Sequence, residues 1–499
     1  MRGIPSGVTP PVVRWLLAGL LAAMLLYGPA PRPLAVPPPL APLAARSTTR
    51  TALRPRSGQP APTQAAVEGA VDVQQSALLP GAPLQASIPG NPADPVSWWL
   101  SGSQGVYPLL ASQSTVFDGN LPLVLPGGEY NLFSCDNASS AQHCFSSPVF
   151  VALGGLWHSG TDPFSVYQRQ GLLPLFSRGT LGQGQTIALY GQSQLSLQDV
   201  SLFDALYGLP APALTIVTPE GSAGIPAAGS GAAGLEVAAD VEWAHALAPD
   251  AKILLYLYPP ATDGVLQSAD LAIQAGATAL SISYGAPISG STASWNASLQ
   301  QDASQGLAIF AASGDAGQET PAYWPTASPA VVSVGGLSYT SSGTTYWDGA
   351  SGKGGYGVSL SEATPAWQGQ AGVTAGRTFP DVSMLASHLP VVVGGQLVTA
   401  SGTSFAAPQW AAVWALLQQS YAASHHGAQL TAAPGPTLYA VALHQSATAA
   451  AFPAAVGPGP HFSAQTGWGA PDVQRLIQAV DALAQPAPSG LPSVSGGQP

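Results

Sequence analysis

From residue 164 onward, apolar runs of strand length alternate with stretches of helical spacing. Thr186–Tyr190, Lys252–Leu257, Ala279–Ser283 and Leu307–Ala312 read as buried strands, and Ser268–Ala275 and Ser298–Gln305 as helices between them. Gly234 to Ala248 reads as a helix that Pro249 ends, just before the strand at Lys252. After Ser401-Gly402-Thr403-Ser404, the residues Trp410, Val413, Trp414 and Leu417 fall at helical spacing, and Val473–Ala484 predicts a last helix. Alternation of this kind predicts an α/β fold with a mostly parallel sheet covered by helices on both faces. Right-handed crossovers would then bring the ends of several elements to one rim.

The first half of the chain is organised differently. Arg2 and Arg14 precede an apolar run, Trp15 to Tyr27, closed by Gly28-Pro29, so residues 1–28 predict a signal peptide or an uncleaved membrane anchor. Residues 29–95, rich in Pro, Ala and Ser and without apolar periodicity, predict a linker. Residues 96–160 form a distinct smaller region with Trp98-Trp99 and the only two cysteines, Cys135 and Cys144, whose spacing in an exported chain predicts a local disulfide. The α/β domain is expected over 161–484 and a flexible tail over 485–499.

Composition narrows the setting. Lys and Arg number 13 against 24 Asp and Glu, and nothing basic clusters to neutralise phosphate, so nucleic acid is excluded as a partner. Charged residues make up 7% of the chain, against a usual share of about a quarter. Few carboxylates mean a small change in charge, and hence in stability, as pH falls. The expectation is an extracellular or secreted protein, or one anchored on the outer membrane face, that works in acid as a monomer.

Against that sparse background a few polar residues carry candidate chemistry. Ser401-Gly402-Thr403-Ser404 has the form of a serine nucleophile at a helix start, where free N–H groups can stabilise an oxyanion. A helix cap of Ser and Thr is the ordinary alternative. Serine needs a base, and none of the eight histidines lies in a convincing base motif; His158 is followed by Asp162-Pro163, which breaks the helix it would need. Glu236 and Asp240 are four residues apart and share a helical face, where like charges repel, raise a pKa and favour a shared proton. Glu242 points elsewhere and reads as structural. Ser313-Gly314-Asp315 ends an apolar strand, and a protonated Asp315 could donate to an oxyanion.

Taken together and in this order, Glu236, Asp240, Asp315 and Ser404 resemble the sedolisins, or serine-carboxyl peptidases, a family with a subtilisin-like fold. The resemblance runs from about Phe164 to Asp472. It implies that Glu236 is the base, Asp240 its orienting acid, Asp315 the oxyanion donor and Ser404 the nucleophile. Ser281 to Gly285 resembles a substrate-lining strand, which assigns Ser283, Tyr284 and Gly285 to substrate binding. Gly354 to Gly357, Trp367-Gln368 and Pro380 to Ser383 also resemble family signatures. The region 96–160 is then the candidate for an N-terminal propeptide.

Two family features are missing. The aspartates of the family's calcium site align near Ala454 and Ser463, next to Thr466-Gly467-Trp468-Gly469, so no metal and no other cofactor is expected. No glutamate closely follows Thr186–Tyr190 to extend the acid network. The function expected is that of a secreted, acid-acting serine-type endopeptidase acting on proteins or peptides. The alternatives are a His-dependent subtilisin-like protease using His158 or His245, and a secreted binding or surface protein that kept the fold without catalysis. Asn137-Ala138-Ser139 and Asn296-Ala297-Ser298 have the outline of glycosylation sites.

Overall fold

The computed structural model describes residues 67–484 except 74–76, 79–82, 90–95, 103–104, 111–113, 123–124, 126–127, 137–142, 152–159, 177, 260–263, 432, 447–448 and 454–461. The expected signal peptide or anchor, the tail, His158, Asn137 and Ala454 therefore lie outside the described residues. Among the described residues no helix is long and apolar enough to cross a membrane.

The central sheet contains β1 (Thr186–Gly191), β2 (Ala213–Val217), β3 (Lys252–Leu257), β4 (Ala279–Ile282), β5 (Ala308–Ala312), β6 (Val332–Thr340), β7 (Gly343–Tyr346) and β8 (Val382–Leu385). Their order is β2-β3-β1-β4-β5-β6-β7, with β8 also beside β6. All pairings are parallel except the β6–β7 hairpin, and Ile187 of β1 lies between Ile253 of β3 and Ala279 of β4. The helices that matter for the site are α1 (Leu197–Tyr207), α2 (Gly231–Leu247), α3 (Gly264–Gln274), α4 (Ala293–Ser304) and α5 (Thr403–Ser424).

The strands read as unbroken apolar runs because both faces are covered. Ile187, Leu189, Ile253, Leu255 and Phe310 point to one side, where Val237 and Val241 of α2 and Trp410, Val413 and Trp414 of α5 cover them. Ala188, Tyr190, Leu254, Tyr256, Leu280 and Ile309 point to the other, against Val265 and Ala269 of α3 and Leu299 of α4. The expected α/β architecture is thus present, and the chain order reverses about β1, the kind of point at which such sheets bind ligands outside the carboxyl ends of their strands.

The N-terminal region differs from its reading as a linker up to residue 95. Within it, Val67–Gly69 pairs with Cys144–Phe145, Asp72–Val73 with Ala86–Ser87, and Pro83–Ser87 with Val116–Asn120. Leu84, Ala86 and Ile88 are buried while Gln85 is exposed, a strand alternation submerged by the Pro- and Ala-rich composition around it. Cys135 and Cys144 form a disulfide across paired strands, with their Cα atoms 4.1 Å apart.

This β region shares one hydrophobic core with the α/β domain. Tyr107 meets the edge of Phe164 at 5.1 Å, and Ser97 Oγ donates to the carbonyl of Phe176 at 3.0 Å. The contact reaches the far end of α2, where Tyr167 Oη donates to the Ala246 carbonyl at 2.8 Å.

Candidate active site

Helix α2 carries the two carboxylates expected from the sequence. Asp240 is 1% exposed and Glu236, one turn earlier, is half-buried. The helix is fixed from behind by Trp243, whose Nε1 donates to the Pro390 carbonyl at 2.9 Å and whose ring meets Phe405 edge-on. Phe405 follows Ser404, so one aromatic contact sets the carboxylate helix against the first turn of α5.

The structure brings Glu236, Asp240, Ser283, Asp315 and Ser404 together. The Ser404 and Ser283 hydroxyls lie close enough to the Glu236 carboxyl to lower its pKa, while Glu236 Oε1 is buried without a hydrogen-bond partner among the described residues. Ser283, just past the end of β4, places Oγ 2.6 Å from Asp240 Oδ1 and 3.1 Å from the Ser404 carbonyl. Its side chain is therefore part of the acid network. One hydroxyl proton cannot serve two acceptors. With Asp240 protonated, Asp240 donates to Ser283 and Ser283 donates to the Ser404 carbonyl, which satisfies both contacts.

The electrostatics favour that proton. Burial raises the Asp240 carboxyl well above the usual range and neighbouring Glu236 raises it further, against the Ser283 hydrogen bond. Burial also raises Glu236; the nearby Ser404 hydroxyl opposes this, Asp315 adds to it, and the Ser283 hydroxyl opposes it. Two acids so close titrate as a pair, and the first proton to leave need not take the second with it.

Asp315 follows β5 and stands at the cleft mouth, exposed on one side and crowded by protein on the others. Oδ1 accepts from the Thr403 N–H at 2.8 Å and the Thr403 hydroxyl at 2.9 Å. The crowding raises its pKa, and these bonds from Thr403 pull it back. Among the described residues nothing donates to Oδ2, which is left free to carry a proton toward the cleft. Gly402 is needed for close approach: a Cβ there would lie 3.1 Å from Asp315 Oδ2. Its φ of 168° is ordinary extended backbone, so glycine is required there for space and not for conformation. Ser404 is the second residue of α5, and its N–H is among those a helix start leaves without an intrahelical acceptor.

His245 is on the opposite side of α2, fully buried, with Nε2 2.8 Å from the Pro210 carbonyl and 3.4 Å from Asp204. Burial lowers its pKa to about 4. Among the described residues no imidazole hydrogen-bonds Ser404. Glu242, read as structural, caps the backbone of Val392 at 2.9 Å. Tyr284 and Gly285 continue from Ser283 along the cleft, and Tyr323 packs on Gly285. Asn296 is 8% exposed and bonded to Trp324 Nε1 at 3.1 Å, so its triplet does not present an open acceptor.

Sequence reasoning missed the supporting residues. Thr403 clamps Gly314 and Asp315, and only its place inside Ser-Gly-Thr-Ser could have flagged it. Asp381, fully buried, pairs with Arg377 at 2.6 Å and also accepts from Gln368 and Tyr439, which ties down the start of β8. From β8, the Ser383 carbonyl accepts from Trp410 Nε1 at 3.0 Å and holds α5 in place.

The C-terminal loop runs from Ser463 to Gly469. Ser463 and Gly467 close it with two backbone hydrogen bonds of 2.9 and 2.8 Å, and Ser463 Oγ accepts from Gln465. Among the described residues no group of three or more His, Cys, Asp or Glu could hold a metal ion.

Comparison with known proteins agrees with this fold. Residues 222–469 match the family model described as the subtilase family. The chain is 31% identical to kumamolisin from a Bacillus species over 367 residues, 65% of this chain and 63% of kumamolisin. It is 36% identical to sedolisin from a Pseudomonas species over 113 residues, 19% of each chain. The chain thus spans less than two thirds of the length of these relatives. A solved structure of Pseudomonas sedolisin, described as a serine-carboxyl proteinase complexed with pseudo-iodotyrostatin, superposes with a TM-score of 0.51 at 23% identity, covering 60% of this chain and 94% of that one. Residues 222–469 therefore form a subtilase-family domain. Within that class, the chain has the sedolisin form of the subtilisin-like fold.

Proposed function

We propose that this protein is a secreted serine-type endopeptidase that cleaves proteins or peptides in acid. The observation that carries the reading is the gathering of Glu236, Asp240 and Ser404 about Ser283, whose Oγ lies 2.6 Å from Asp240 Oδ1 and 3.1 Å from the Ser404 carbonyl, with no imidazole among the described residues hydrogen-bonded to Ser404. In this reading Ser404 Oγ attacks the scissile carbonyl while ionised Glu236 takes its proton and later returns it to the leaving amine. Asp240 keeps the shared proton and, through Ser283, positions the backbone of Ser404. The Ser404 N–H and a protonated Asp315 Oδ2 hold the oxyanion; loss of such a donor costs about 3 kcal/mol of barrier.

The acid preference rests on Asp315, which donates only while protonated. Glu236 must be ionised and Asp315 must not be, so activity falls below the lower pKa of the Glu236–Asp240 pair and again above that of Asp315. The loop at Ser463–Gly467 lacks anionic ligands, so the proposed reaction uses no calcium. The chain would act as a monomer, with the β region before residue 161 as its pro-region.

Hydrolysis of casein in acidic buffer by the purified protein, compared with Ser404→Ala, tests this reading. Loss of hydrolysis in the variant is the expected result. Equal behaviour of the two proteins, active or inactive, overturns it.

A further inference from the structure

Glu319 is an acid that this mechanism leaves unused. It is 6% exposed and lies four residues beyond Asp315 on the turn that carries the oxyanion donor. Its backbone N–H donates to the Tyr356 carbonyl at 2.8 Å, and its Oε1 accepts from the Ala316 N–H at 3.2 Å. Oε2 receives no hydrogen bond from any described residue, and it is not sealed from water. Among the described residues no lysine or arginine pairs with Glu319. The nearby Lys353 is engaged with Asp348 at 2.9 Å.

Burying a carboxyl group without a cation is costly, and this chain offers few cations to offset it. The position of the acid accounts for its retention. Gly314 has φ of 109°, and a Cβ on it would lie 2.5 Å from Glu319 Oε1, so the missing side chain is what lets the carboxyl come up against the turn. Tyr323, packed on Gly285, is close enough to the same carboxyl for its charge to raise the Tyr323 pKa. The acid thus lies between the turn bearing Asp315 and the chain continuing from Ser283.

When a substrate carbonyl is held by Ser404 and Asp315, the residue on its acyl side hangs from the carbonyl carbon, next to Gly314. We propose that Glu319 receives this residue's side chain and selects lysine or arginine there. The inference rests on the peptidase reading and supplies its substrate class.

The acid also dictates how selection varies with pH. Glu319 is faced by Asp315, Tyr323 and Tyr346. Burial, opposed by the Ala316 N–H and reinforced by Asp315, raises it to about 7. A cationic side chain must displace its proton, so the preference for a basic residue is weakest in strong acid and grows as pH rises toward 7.

The test uses two internally quenched peptides that differ only by Arg or Leu on the acyl side of the cleaved bond, with kcat/KM measured from pH 3 to 6. The wild-type Arg:Leu ratio should exceed one and rise by about tenfold or more across that range. In Glu319→Gln the ratio should fall by about ten- to a hundredfold, the worth of a hydrogen bond to a charged group, and lose its pH trend. A wild-type ratio that is flat or below one, or a ratio unchanged in Glu319→Gln, overturns the inference. If Glu319→Gln does not fold, the wild-type trend alone decides. Hydrolysis that survives in Ser404→Ala instead overturns the peptidase reading and leaves a different failure on record.

Discussion

Ser283 Oγ stands 2.6 Å from Asp240 Oδ1, and it can also satisfy the Ser404 carbonyl at 3.1 Å only when Asp240 holds a proton. This single hydroxyl couples the protonation state of a buried acid to the backbone of the residue at the start of α5. Ser283→Ala removes the coupling and leaves Asp240 without its protein hydrogen bond. A hydrogen bond to a charged or strongly polarised group is worth about 1.5–3 kcal/mol, so kcat should fall by about ten- to a hundredfold. Steady-state kinetics of the variant check this, and an unchanged kcat would remove Ser283 from the account.

Asp315 should set the alkaline limit of activity. Its pKa is raised by crowding and it donates only while protonated, so hydrolysis declines as pH rises through that pKa. An asparagine amide donates at every pH. Asp315→Asn should therefore extend activity toward neutral pH, whereas Asp315→Ala should lose about a hundred- to a thousandfold in kcat. pH–rate profiles of both variants provide the check.

Stability should also favour acid. Burial raises Asp204 to about 8, and also raises Asp240 and Glu242. These groups hold protons in the folded state that the unfolded chain releases near its ordinary carboxyl pKa. Between about pH 4 and 8 the folded state binds more protons, so stability is full below that window and falls as pH rises through it. His245 opposes this between about 4 and its ordinary 6.5, but it is one group against several. Thermal unfolding should give a lower Tm at pH 7 than at pH 4; a rising Tm would contradict these assignments.

Chelation should do little. The Ser463–Gly467 loop closes on its own backbone and offers no carboxylate. EDTA should leave both acid hydrolysis and Tm unchanged, and a Tm drop restored by Ca²⁺ would point to a modified site.

Much of the α/β domain was legible in the chain because its strands are buried on both faces and read as continuous apolar runs, as in Lys252–Leu257. Glu236 and Asp240 were legible because charge is scarce and a four-residue spacing has one meaning on a helix. The strands before residue 95 were not, since Leu84, Ala86 and Ile88 alternate within a Pro- and Ala-rich stretch that resembles linker. Thr403, Ser283 in its bridging position and Glu319 were not legible either. Their meaning lies in contacts across long separations in the chain or in an unpaired oxygen on a buried residue, and no local pattern encodes those.

The central claim is that a carboxylate, not an imidazole, activates Ser404. The most direct measurement is kcat/KM at acid pH for Glu236→Gln beside His245→Ala. General-base catalysis contributes about a hundred- to ten-thousandfold, so Glu236→Gln should lose activity on that scale while the catalytic step in folded His245→Ala persists. Activity retained in Glu236→Gln and abolished in a folded His245→Ala would contradict the account.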